Sequence, residues 1–75
     1  MSKLPQVSSK EIVGVLIRFG FQFKGQRGSH MKFVKKHSYG KEVIIVPNHK
    51  TLRPGTLANI LRKLNLDAEK FKEFI

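Results

Sequence analysis

The apolar residues of this chain change their period at Gly20, and this change narrows the possible folds more than any other feature. Ahead of it, Ile12, Val13, Leu16 and Phe19 recur at the spacing of one helix face. Beyond it, Phe21 and Phe23 alternate with Gln22 and Lys24, the period of a half-buried strand. The helix is bounded on both sides. Ser8 and Glu11 stand three apart as a capping box, Val7 and Ile12 flank it as a hydrophobic staple, and Gly20 suits a left-handed C-terminal cap. The pattern predicts a helix from about Ser9 to Phe19, leading directly into a sheet.

The remaining elements follow from the same two periods. Gly25-Gln26-Arg27-Gly28 reads as a turn, and a second strand runs from Ser29 to about Lys36. Met31 and Phe33 share one face of that strand, while His30, Lys32 and Val34 share the other. Since Phe21, Phe23, Met31 and Phe33 form the natural core face, His30 is expected on the side that a lone sheet leaves to solvent. The polar loop His37 to Lys41 precedes a third strand, Glu42 to Val46, stopped by Pro47. After a loop from Asn48 to Arg53, Pro54 opens a helix whose stripe is Leu57, Ile60, Leu61 and Leu64. Asp67 is placed to cap a short third helix from Ala68, with Phe71, Phe74 and Ile75 on its apolar side. The expected order is α-β-β-β-α-α, an α+β fold with a three-stranded antiparallel sheet and its helices on one face, forming a single domain over residues 1–75.

With 75 residues and no cysteine, disulfides and thiolate metal sites are excluded, and packing alone must hold the core, as suits a reducing cytoplasm. The N-terminal Met1-Ser2-Lys3-Leu4-Pro5 carries no apolar run of signal-peptide length, and no stretch has the length of a membrane span. Fifteen Lys and Arg against five Asp and Glu give a net charge of +10, so a polyanion is the expected partner. Nucleic acid is the usual one; an acidic protein or a membrane surface fits the same charge.

Four ordered fragments carry a resemblance to a known family: Phe19-Gly20-Phe21, Arg27-Gly28-Ser29-His30, Pro47-Asn48-His49, and Gly55-Thr56-Leu57 with Ile60-Leu61-Arg62. Over nearly its whole length the chain resembles the HicA toxins, messenger-RNA interferases of toxin–antitoxin pairs. The resemblance implies a fold like a double-stranded-RNA-binding domain and a metal-independent endoribonuclease that cuts mRNA, with His30 as the essential histidine. It also implies a HicB-type antitoxin that covers this histidine, the free toxin being a monomer and the neutralised one a hetero-oligomer.

The chemistry of the candidate residues is compatible with that reading. RNA can be cut by its own 2′-hydroxyl, so a protein need only move protons and stabilise charge on the phosphate. Imidazole exchanges protons near neutral pH, and the small Gly28 and Ser29 before His30 let an RNA backbone approach. Lys24 and Lys32 are placed to hold phosphate, and Arg27 to do so in bidentate geometry. From the residues alone, His30 is also readable as an exposed strand histidine with no role, and Ser29 as a small turn residue rather than a hydrogen-bonding contact to RNA. His49 is open to two readings, a second RNA or proton-transfer residue or a local structural hydrogen bond. His37 reads as a solvated turn residue.

No metal and no other cofactor is expected. The carboxylates Glu11, Glu42, Asp67, Glu69 and Glu73 read as caps and solvated helix faces, and the spacings of His30, His37 and His49 match no standard zinc site. Arg62, Lys63, Lys70 and Lys72 read either as a solvated face or as RNA contacts. Val34 and two residues of Val43-Ile44-Ile45-Val46 must share the His30 face, an apolar strip that suits the antitoxin. The rival reading is a non-catalytic module that holds structured RNA by shape and phosphate contacts.

Overall fold

The computed structural model describes residues 4–75; residues 1–3, part of the N-terminal stretch read above for a leader, lie outside them. Helix α1 spans Ser9–Arg18, with both halves of the capping box formed. The Glu11 N–H donates to Ser8 Oγ at 3.1 Å, and the Ser8 N–H donates to Glu11 Oε1 at 2.9 Å. At the other end Gly20 takes φ +92°, a left-handed value that side chains with a Cβ disfavour. That turn lets the N–H groups of Gly20 and Phe21 reach the carbonyls of Ile17 and Leu16, each at 3.0 Å, so the last turn of α1 is closed by backbone.

The sheet is antiparallel in the order β1-β2-β3, with β1 at Gln22–Arg27, β2 at His30–His37 and β3 at Gly40–Pro47. Both hairpins are tighter than the sequence suggests. Gly25, Gln26 and Arg27 belong to β1 rather than to a turn, and the connection is Gly28-Ser29, with Arg27 paired to His30. Likewise His37 pairs with Gly40, so only Ser38 and Tyr39 lie between β2 and β3. The polar residues of both connections continue the ladder because their partners across the hairpin are in register, a determinant that local composition does not carry.

One face of this sheet bears all three helices, the others being α2 at Pro54–Leu64 and α3 at Ala68–Lys72. Phe33, Ile44 and Val46 from the sheet meet Ile12, Val15 and Leu16 of α1, Leu57, Ile60 and Leu61 of α2, and Phe71 of α3. Val7, Phe21 and the loop residue Leu52 complete this core. A helix as short as α3 is unstable alone, and two features hold it. Phe71 is fully buried, contributing roughly 2 kcal/mol, and Asp67 accepts the Lys70 N–H at 2.7 Å, a cap of about 1 kcal/mol. Phe74 packs edge-on against Phe19 with centroids 5.1 Å apart, whereas Ile75, expected in the core, is exposed.

Phe23 is a second departure. It lies on the core face and touches Phe33 edge-on at 5.6 Å, yet it is 53% exposed. Strand β1 is an edge strand, and at Phe23 its core-side face is left partly uncovered. The other edge, β3, has its Val43 carbonyl occupied by Lys63 of α2, whose Nζ donates at 3.2 Å.

Candidate active site

The open face is built by register. His30, Lys32 and Val34 alternate along β2, opposite Pro47, Ile45 and Val43 of β3 and Arg27, Gly25 and Gln22 of β1. Paired residues share a face, so these side chains lie away from the helices. Strict alternation from Phe23 would have sent Arg27 to the core side. The ladder instead steps from Phe23–Phe33 to Gly25–Lys32, leaving Lys24 as the extra residue of a β-bulge. That one inserted residue re-aims the rest of β1, bringing Arg27 beside His30.

The result is an open cleft of about 470 Å³ lined by Lys24, Gly25, Gln26, Arg27, His30, Lys32 and Ile45. Of the residues expected from sequence, His30, Lys24, Arg27 and Lys32 are brought together here, and all four are exposed. An imidazole surrounded by three fixed cations, with no carboxylate in the lining, attracts an anion and places it within reach of a proton-transfer group.

Gly28 and Ser29, also expected in the site, do not line the cleft; they form the turn that joins its lining residues Arg27 and His30. Gly28 has φ +58° while Ser29 does not, the pattern of a type II′ hairpin with glycine at its first central position. A Cβ built at Gly28 would meet nothing within 4 Å, so glycine is required there by backbone conformation and not by crowding. The Ser29 carbonyl accepts the Asn48 N–H at 2.6 Å, fastening the turn to the end of β3.

His49 does not join the cleft. It lines a separate cavity of about 380 Å³ with Ser8, Lys10, Asn48 and Lys50. Its backbone is tied down by Ser9, a residue that sequence reasoning took only as a helix start. Ser9 is 1% exposed; its Oγ accepts the His49 N–H at 2.7 Å and lies in hydrogen-bond contact with the carbonyls of Pro47 and His49. The Ser9 N–H donates to the His49 carbonyl at 3.0 Å. A chain of contacts thus runs from α1 through Ser9, His49 and Asn48 to Ser29 and His30. No local signal identifies Ser9, because its partners lie some forty residues away.

His37 is not the solvated turn residue expected. Its Nε2 lies 2.6 Å from Glu42 Oε2, and its ring stacks on Tyr39. Glu42 is accordingly a strand residue engaged with imidazole, neither a cap nor a helix-face group. His30 and His37 occupy opposite ends of β2, and among the described residues no three His, Cys, Asp or Glu converge as metal ligands. The apolar strip is also narrower than expected. Val34 is on the His30 face but only 6% exposed, which leaves half-buried Val43 and the 45% exposed Ile45 as its accessible part.

Element order, strong positive charge and a cationic cleft around an exposed strand histidine define a small basic α+β protein whose open sheet face carries that cleft. The family model described as the HicA toxin of bacterial toxin–antitoxin matches residues 9–66, from α1 through the end of α2, and the chain belongs to this family. It is therefore a toxin-antitoxin toxin, and membership implies a cognate antitoxin. No curated protein and no solved structure matches the chain. No helix among the described residues is long and apolar enough to cross a membrane.

Proposed function

We propose that this chain is an endoribonuclease that cuts messenger RNA in the cytoplasm without a metal ion, with His30 as its catalytic residue. The observation that carries this reading is the placement of an exposed imidazole among Lys24, Arg27 and Lys32 in one cleft. In the reaction, the 2′-oxygen bonds to phosphorus as its proton passes to His30. The bond from phosphorus to the 5′-oxygen breaks, and that oxygen takes a proton from water. Lys24, Arg27 and Lys32 face the non-bridging phosphate oxygens, where charge builds in the transition state. The cleft lining contains no carboxylate to hold a divalent ion. Glu11 and Asp67 cap helices, Glu42 meets His37, and Glu69 and Glu73 pair with Lys72 and Lys70.

Gly28 and Ser29 act by shaping the turn, and the exposed Ser29 also offers its hydroxyl to RNA beside the cleft. His49 serves as an outlying RNA contact beside Lys10 and Lys50 and takes no part in proton transfer, since its cavity is a separate one. Neutralisation is by a HicB-type antitoxin that packs on Val43 and Ile45 and directs acidic groups toward the lysines, covering His30.

Purified wild type and His30→Ala, compared on a labelled messenger fragment, test the reading. Cleavage should fall roughly 10²- to 10⁴-fold while RNA affinity is retained. Equal cleavage by the two proteins refutes catalysis by His30, and binding without cleavage by the wild type identifies a pure RNA-binding module instead.

A further inference from the structure

The end of the sheet remote from His30 carries an aromatic feature that the cleft does not use. Tyr39, at the tip of the β2–β3 hairpin, is 86% exposed. Its ring lies flat on the His37 imidazole, with centroids 4.8 Å apart and planes within 4°. The imidazole is held in turn by Glu42, with Nε2 to Oε2 at 2.6 Å. One face of the tyrosine is thus backed by a fixed ring while the other is bare, so little side-chain freedom remains to be lost when a flat ligand lands on it.

Charge beside the tip points to the nature of that ligand. Lys36 and Lys41 are both exposed and stand directly opposite each other across β2 and β3. Like charges in that relation oppose strand pairing, and an anion bound between them relieves the repulsion. Lys36 shares the open face with Lys32 and His30, so a line of cations runs along β2 from the cleft to the tip, roughly 20 Å at the rise of a strand, whereas His37 and Glu42, and with them the stacked Tyr39, belong to the opposite face just across the two-residue tip. A strand that follows these cations and crosses the tip meets the bare π-face on its far side, so one group takes the backbone and the other a base, the two contacts that hold single-stranded nucleic acid.

We propose that Tyr39, backed by His37, is a stacking platform for an unpaired nucleobase of single-stranded RNA that crosses the hairpin tip, with Lys36 and Lys41 holding phosphates on the open-face side of the crossing. This rests on the RNA reading above and adds to it a subsite remote from the cut, which holds the strand by stacking and so tolerates any base.

The chain has one tyrosine and no tryptophan, so its intrinsic emission reports on Tyr39 alone. The test uses the full chain carrying His30→Ala, titrated with a fluorescently labelled single-stranded oligoribonucleotide of about ten residues, while label anisotropy and tyrosine emission are followed together. Polyglutamate serves as the probe of charge alone. Expected results are a rise in anisotropy, quenching of tyrosine emission by RNA but not by polyglutamate, and affinity lowered roughly 5- to 150-fold by Tyr39→Ala but largely kept by Tyr39→Phe. A rise in anisotropy with unchanged emission, or with Tyr39→Ala binding as tightly, overturns the platform and leaves RNA binding standing. Quenching by both polyanions overturns base stacking in favour of an acidic protein contact. No rise in anisotropy overturns the RNA reading and the platform with it.

Discussion

Replacing Ser9 by alanine should destabilise the protein far more than a serine at a helix start would suggest. The hydroxyl is 1% exposed, accepts the His49 N–H at 2.7 Å, and is in hydrogen-bond contact with the Pro47 carbonyl. Alanine leaves both backbone groups without that partner, while the His49 carbonyl keeps the bond from the Ser9 N–H. An unpartnered buried group costs about 1 to 3 kcal/mol; these two are only partly buried, so the low end applies and the loss is about 2 kcal/mol. Alanine's better helix propensity returns a few tenths, giving a net loss near 1.5 kcal/mol. A 75-residue domain has only about 4 to 11 kcal/mol in total, and its Tm falls roughly 4 to 8 °C per kcal/mol. Thermal unfolding followed by circular dichroism should therefore show a drop of roughly 6 to 12 °C. Hydrogen exchange should show lost protection at the amides of Asn48 and His49 before any general loss. A change under about 2 °C, or unaltered protection at those amides, would refute the claim that Ser9 fastens the loop after β3.

Two further substitutions probe the cleft. Gly28→Ala forces a side chain into φ +58° and should cost about 1 to 2 kcal/mol, with Gly28→Asn recovering part of it because asparagine tolerates that region; equal stability of all three proteins in urea unfolding would contradict the turn assignment. Lys32→Ala, measured in a His30→Ala background, should reduce the slope of log affinity against log salt by about 0.7, the value for one phosphate contact on a single strand, and an unchanged slope would remove Lys32 from the RNA path.

What could be read in the sequence was what local chemistry determines. The Ser8–Glu11 box, the Gly20 cap, Pro54 at the start of α2 and the Asp67 cap are all set by groups within four residues, and all are present. His30 was placed on the open face by counting along β2, which is regular. Counting failed on β1, where Gly25 to Arg27 have turn-like composition and the bulge at Lys24 shifts the parity, so the presence of Arg27 in the cleft was legible but the reason for it was not. Ser9 and the His37–Glu42 pair were missed for one reason. Their partners are chosen by tertiary contact or by hairpin register, neither of which leaves a short-range pattern. Phe23 was assigned to the core by its period, but period says nothing of where the helical layer ends.

The bulge at Lys24 and the reach of Lys63 to Val43 have a consequence for assembly. An open three-stranded sheet presents two rows of unpaired backbone groups, each a template on which another copy can add a strand and begin aggregation. Here the irregular row along β1 no longer matches the repeat of an incoming strand, and the row along β3 is interrupted by an ammonium group. Both margins resist edge-to-edge growth without help from a partner. For the antitoxin proposed above, this favours an approach from above the sheet, over the surface that holds His30, rather than by extending it sideways.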